Sequence, residues 1–200
     1  MTTPTTRRGQ AKAARRAELL AAAARQMARR GFVSVRLEDI AAEVGISGPA
    51  VYRHFDSKNE VLDELLLDIS ERLQSGGEQV VDRGGTPVQV LANLVEFHID
   101  VLVTKPDLIA IQDRDLDALT DDARRRVRSL QRRYVETWVQ VLIAVAEANG
   151  HPLSESESRV RAHATFGLLN SSPRLPDFEQ ARLRALLTEM ALAALLSGLG

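Results

Sequence analysis

The sequence predicts an all-α fold. Apolar residues recur at spacings of three and four through most of the 200 residues, and no useful stretch alternates apolar with polar. The breaks fall at Gly and Pro beside residues that cap helices. A hydrophobic content of 44% is ample for a buried core, and the length allows one large domain or two small ones.

From Arg8 to Arg30 the chain has no Pro and no interior Gly apart from Gly9, and Ala17, Leu20, Ala24, Met27 and Ala28 mark one face of an amphipathic helix. Gly31 stops it, and Phe32, Val33 and Val35 make an apolar connector expected to pack under the next element. In "RLEDIAAEVG" Leu37, Ile40, Ala41 and Val44 fall at i, i+3, i+4 and i+7, with Glu38, Asp39 and Glu43 pointing away. Gly45 ends that helix and Ile46 plugs the turn. Ser47 is a natural N-cap for a third helix, which has Pro49 in its first turn and continues through Ala50, Val51 and Phe55.

Two short helices joined by a Gly-containing turn form a helix-turn-helix, whose second helix fits a DNA major groove. It would project Gly48, Pro49, Ala50, Arg53 and His54 outward. Ser57 and Glu60 in "SKNE" read as a capping box that opens a fourth helix. Lys58 in its first turn opposes the helix dipole at a cost of about 0.3–1 kcal/mol, a placement that makes sense if cation and amides hold a phosphate together.

Further helices follow. One begins at Thr86-Pro87 and runs until Pro106 restarts the chain, and a long one is capped near Thr120 and ended by Gly150. Another opens on a capping box from Ser154 to Glu157 and stops before Pro173, and "DFEQARLRALLTEMALAALLSGLG" is the last. The first six residues read as flexible, and there is no internal repeat.

Charge divides the chain. Residues 1–60 hold eleven Lys and Arg against six Asp and Glu, and residues 61–200 hold fifteen against twenty-one, within totals of 26 and 27. Nine basic residues face Glu18 alone in residues 1–36, which suits either a polyanion partner or a solvated basic face. With no Cys there is no disulfide, thiolate site or thiol nucleophile. His54, His98, His151 and His163 never take metal-ligand spacing, and neither a phosphate-cradling Gly loop nor a G-x-S-x-G elbow occurs. The chain therefore reads as no enzyme, without cofactor or metal. No apolar run suggests a signal peptide or approaches a transmembrane span, which gives a cytoplasmic expectation and no membrane partner.

Residues 8–62, and "DIAAEVGISGPAVYRHFDSKNEVL" above all, resemble the DNA-binding domain of the TetR (tetracycline repressor) family. The residues that carry the likeness are Gly31-Phe32, Ile40-Ala41, Gly45-Ile46-Ser47, Tyr52-Arg53-His54-Phe55 and Ser57-Lys58, in order and at the family's spacing. Arg36 departs from it, standing where the family usually has a capping Thr or Ser. The resemblance implies about nine helices: a DNA-binding helix-turn-helix domain in residues 1–57, and a larger effector-binding and dimerisation domain in residues 58–200.

It further implies a transcriptional regulator, a repressor by family tendency, that binds double-stranded operator DNA as a homodimer. Arg7, Arg8 and Lys12 would form a basic arm, and Arg36, Tyr52 and Lys58 would anchor phosphates. Gly48, Pro49, Ala50 and Arg53 would face base edges, with Ser47 at the helix start and His54 supporting its end. In the C-terminal part Leu66, Phe97, Val101, Trp138 and Phe166 are candidates for an apolar ligand chamber, with His98, Gln112 and Asn170 as its polar groups. The same residues equally suit a satisfied core.

Six arginines crowd Arg124 to Arg133, and they read either as a solvated face or as an anion site. On the second reading Arg128 would help hold a phosphate-bearing effector such as an acyl-coenzyme A. The last helix is apolar nearly all round and needs cover on two sides, and Ala164, Gly167, Leu187, Met190 and Ala194 are the candidate dimer residues. The competing reading is a helical ligand-binding or interaction protein without sequence-specific DNA binding. It leaves the basic first third and the turn pattern unexplained.

Overall fold

The computed structural model describes residues 7–171 and 178–199. The expectations for the first six residues and for Pro173 as a helix stop lie outside the described residues. Among those described, nine α-helices and one 3-10 turn follow in order. They are α1 (Arg7–Arg30), α2 (Leu37–Glu43), α3 (Gly48–Val51), α4 (Lys58–Asp82), α5 (Pro87–Thr104), α6 (Pro106–Asp115), α7 (Asp121–Ala148), α8 (Glu155–Leu169) and α9 (Gln180–Leu196), with the 3-10 turn Leu116–Ala118 between α6 and α7.

The N-terminal helices pack around a small core. Leu19, Ala23 and Met27 of α1, Ile40 and Ala41 of α2, and Val51 and Phe55 are all essentially buried. Gly31 ends α1 at a positive φ of 82°, donating its N–H to Met27 O at 2.9 Å. Gly45, at φ 72°, turns the chain between α2 and α3.

Three local expectations need correction. Val33 is 85% exposed rather than packed, because the connector is a tight turn, with Ser34 N donating to Gly31 O and Val35 N to Phe32 O, that carries Phe32 and Val35 inward and leaves Val33 at its outer side. The third helix does not continue to Phe55. It holds four residues and closes in tight turns, with Arg53 N donating to Ala50 O and His54 N to Val51 O. Ser47 has extended cap geometry but makes no side-chain cap hydrogen bond.

At the start of α2 the Arg36 side chain does not cap either. The Arg36 amide instead donates to Asp39 Oδ2 at 3.2 Å, half of a capping box. At α4 Ser57 Oγ accepts from Glu60 N at 3.1 Å, while the Glu60 carboxylate accepts from Asp56 N and from Arg16. Arg16 also donates to His54 O and Glu64, tying α1 to α4 and to the end of the α3 turn.

The C-terminal core is built from long helices in contact: α4 with α5 and α7, α7 with α8, and α5 with α9. Leu62, Leu66 and Ile69, Leu91 and Leu94, Ile99 and Leu102, and Trp138 are all fully buried there. Helix α5 corrects a further expectation, because its 18 residues have the length and apolar composition of a membrane span. Eight of them, from Val90 to Leu102, are buried against neighbouring helices, so much of that apolar surface serves the protein core.

Candidate nucleic-acid interface and ligand chamber

The α1 start and the α3 turn converge on one cationic concavity. Arg8, Gly9, Lys12, Arg53 and His54 line a cavity of about 560 Å³, and Arg8, Lys12 and Arg53 are exposed there. His54 Nδ1 is buried without a hydrogen-bond partner. Burial, and then the charges of Lys12, Arg16, Arg15 and Arg53, hold its imidazole below the ordinary value. A concentration of positive charge on a short helical turn suits a polyanion.

The other interface candidates divide by environment. Arg7, Arg36, Ser47, Pro49, Tyr52 and Arg53 are exposed, and Gly48 and Ala50 are half-buried. The Tyr52 hydroxyl donates to Glu38 Oε1 at 2.7 Å, and that bond raises the phenol pKa. Lys58 Nζ donates to Phe32 O at 2.7 Å and Val33 O at 3.1 Å, and lies 4.3 Å from the Phe32 ring centroid. In the DNA-free protein Lys58 therefore clamps the α1–α2 connector to the α4 start.

A second cavity of about 510 Å³ lies within the C-terminal helices. His98, Gln112, Arg128, Phe166 and Asn170 all border it. Leu66 and Val101 do not, being fully buried in the helix core, and Phe97 lines a separate groove with Gly76 and Arg184. Trp138 is fully buried, and its ring stands edge-on to those of Phe166 at 4.9 Å and His98 at 6.0 Å.

Tyr134, missed at the sequence level, completes this aromatic cluster. It sits four residues before Trp138 on the same face of α7, and that i, i+4 aromatic pair was the available signal. The Tyr134 hydroxyl donates to His98 Nδ1 at 3.1 Å, and His98 Nε2–H donates to Asn170 Oδ1 at 3.3 Å. Burial pushes the His98 pKa down to about 4, so the ring is neutral near pH 7 and its tautomer is set by the two partners.

The chamber mouth is polar, with Asp113, Arg114, Asp117 and Arg128 around it. Arg128 pairs with Asp117 at 3.7 Å, and Arg125 with Asp122 at 3.2 Å. Arg124 pairs with Asp121, and Arg126 with Glu71 at 3.4 Å. Arg114, also missed, donates to Met27 O at 2.5 Å and Ala28 O at 3.2 Å, so a side chain at the chamber rim caps the C-terminal carbonyls of α1. No spacing in the sequence signals that contact, which joins residues 86 and 87 positions apart.

On α8 and α9 an apolar and small-residue face points outward. Ala164, Gly167 and Ala194 are exposed, as are Met190 at 44% and Val160 at 68%. Leu187 turns inward with Ala191 and Leu195 at helical spacing, and its neighbour Leu186 is exposed instead.

Residues 19–65 match the description "Bacterial regulatory proteins, tetR family", and residues 84–174 match "Tetracyclin repressor-like, C-terminal domain". The HTH-type transcriptional repressor KstR2 of Rhodococcus jostii (strain RHA1) is 31% identical over 145 residues, covering 72% of this chain and 71% of that protein. The protein of the same name from Mycolicibacterium smegmatis (strain ATCC 700084 / mc(2)155) is 30% identical over 65% of this chain, and the match spans 64% of that relative's length.

Two solved structures share the fold. A TetR-family transcriptional regulator from Bordetella parapertussis 12822 superposes with a TM-score of 0.82 at 23% identity, covering 92% of this chain and 94% of that one. The ketosteroid transcriptional regulator KstR2 of Mycobacterium tuberculosis does so with a TM-score of 0.80 at 22% identity, covering 90% and 93%.

Proposed function

The chain belongs to the TetR family of bacterial transcriptional regulators, and from that premise we propose that it is a cytoplasmic, dimeric repressor released from a near-palindromic operator by a hydrophobic or acyl-CoA-like ligand. The observation that carries this reading is one side chain, Arg114, which joins the chamber rim to the C-terminal end of α1. It borders the chamber and holds the last carbonyls of α1, the helix whose first turns supply Arg8 and Lys12 to the cationic concavity.

In this reading residues 1–57 bind DNA and residues 58–200 bind effector and partner. Arg7, Arg8, Lys12, Arg36 and Lys58 contact phosphates, Tyr52 gives its one hydroxyl proton to Glu38, and Arg53, with Gly48, Pro49 and Ala50, meets base edges. Ser47 and His54 frame the turn. A ligand in the chamber lies against Ile109 and Gln112 of α6 and shifts that helix, and Arg114 carries the shift to α1. The ligand acts only through its preference for the state in which the two recognition helices are spread apart. The neutral Tyr134–His98–Asn170 chain supplies the few polar groups that orient a lipophilic ligand, and Arg128 at the mouth suits an anionic end. Val160, Ala164, Gly167, Leu186, Met190 and Ala194 form the face for the second copy.

The test is fluorescence anisotropy on duplex DNA from upstream of the protein's own reading frame and on a scrambled duplex, across a salt series. Tight binding to the first alone, released by an acyl-coenzyme A or a sterol-like ligand, is expected. Equal binding to both that vanishes with salt would reduce the concavity to a solvated basic face and favour the ligand-binding reading.

A further inference from the structure

The first turn of α3 consists of residues with no side-chain hydrogen-bonding group: Gly48, Pro49 and Ala50. The adjacent group that has one belongs to α2. Glu38 Cγ lies 3.1 Å, and its Cβ 3.7 Å, from where a Cβ on Gly48 would stand, so the Glu38 side chain lies across the start of α3. A larger residue at 48 would press against it. Glu38 Oε1 accepts the Tyr52 hydroxyl at 2.7 Å, which fixes the carboxylate direction and keeps it ionised. Glu38 is exposed; the charge of Arg36 acts on it and helps lower its pKa, but among the described residues no Lys or Arg comes within ion-pair contact of it.

A carboxylate without an ion-pair contact beside a cationic, phosphate-seeking surface repels every DNA sequence alike unless it meets a further donor. In the major groove cytosine presents an amino donor without an adjacent acceptor. Guanine presents N7 and O6, thymine presents O4, and adenine sets N7 beside its amino group, so each of these places an acceptor against a carboxylate.

We propose that Glu38 is a specificity-determining residue whose carboxylate accepts a hydrogen bond from the N4 amino group of a cytosine at the base pair facing Gly48. The proposal rests on the DNA-binding reading above. Glu38 adds at the first turn of α3 the base-edge hydrogen bond that Gly48, Pro49 and Ala50 have no side-chain group to make, and Tyr52 holds it in register.

The experiment is selection of the full-length protein, Glu38→Ala and Glu38→Gln on a randomised duplex library at fixed salt, followed by anisotropy on single-base variants of the preferred site. The wild type is expected to select cytosine at one position in each half-site. Glu38→Ala loses about tenfold of preference there while other positions keep theirs. Glu38→Gln shifts the preference towards adenine, because a carboxamide both donates to N7 and accepts from N6. A preference that survives Glu38→Ala, with binding merely stronger to all duplexes, overturns the proposal and leaves Glu38 as a repulsive charge. A wild type with no sequence preference overturns the DNA-binding reading and this proposal with it.

Discussion

Gly77→Ala sets two opposed effects of known size against each other. Gly77 lies inside α4, where Ala in place of Gly gains about 0.5–1 kcal/mol of backbone entropy. Its added Cβ would lie 2.6 Å from Tyr134 Cε2 and 2.9 Å from Cδ2, well inside ordinary contact. The Tyr134 ring has no room to withdraw. It is buried, stacked on His98 and Phe166 at centroid distances of 5.8 and 5.7 Å, and hydrogen-bonded to His98.

Overpacking of this kind costs about 1–3 kcal/mol, and a displaced hydroxyl leaves His98 Nδ1 unsatisfied for about 1–3 kcal/mol more. The expected net loss is about 1–5 kcal/mol, or about 2–20 °C in Tm for a chain of this length. Urea and thermal unfolding by circular dichroism at one protein concentration measure it. The double variant Gly77→Ala/Tyr134→Leu should recover part of the loss as a coupling energy above about 1 kcal/mol. Gly77→Ala as stable as the parent would falsify the close approach of α4 and α7 on which the chamber geometry depends.

Gly167→Ala meets nothing within 4 Å and should stabilise the isolated fold by about 0.5–1 kcal/mol, yet weaken self-association in sedimentation if this face seats a second copy. Lys58→Ala removes two carbonyl partners and should cost about 1–2 kcal/mol in urea unfolding. It should also weaken binding to all duplexes alike, whereas Arg53→Ala relaxes preference at one base; matching preference profiles for Arg53→Ala and the parent would refute that role. Stability should fall with pH below about 6.5. There the unfolded His98 takes a proton that the folded one refuses down to about 4, so the unfolded chain binds more protons, and about 3 kcal/mol is lost across that window. The drop should be largely absent in His98→Gln, and an equal drop in that variant assigns it to other groups.

What the sequence by itself determined is local. Helix starts at Ser57, Thr86, Thr120 and Ser154 were legible because each cap is a contact over three residues, and in each case the side-chain oxygen accepts the expected amide. The helix-turn-helix was legible because its signals, Gly45 and the apolar spacing of α2, lie within one short segment. The length of α3 was not, since tight turns and an α-helix share the same apolar pattern over four residues.

Tertiary structure decided the rest, because it depends on which helices meet. Apolar residues in a helical chain all read alike as core or chamber, so only the packing of α4, α5, α6, α7 and α8 separated Leu66 and Val101 from His98 and Phe166. The inward turn of Leu187 was set by the way α9 rests on α5 and α8. Arg114 on the carbonyls of α1, and Glu38 laid across Gly48, come from contacts between different elements. Sequence periodicity records which face of a helix is apolar, and it carries no information about which neighbour that face will find.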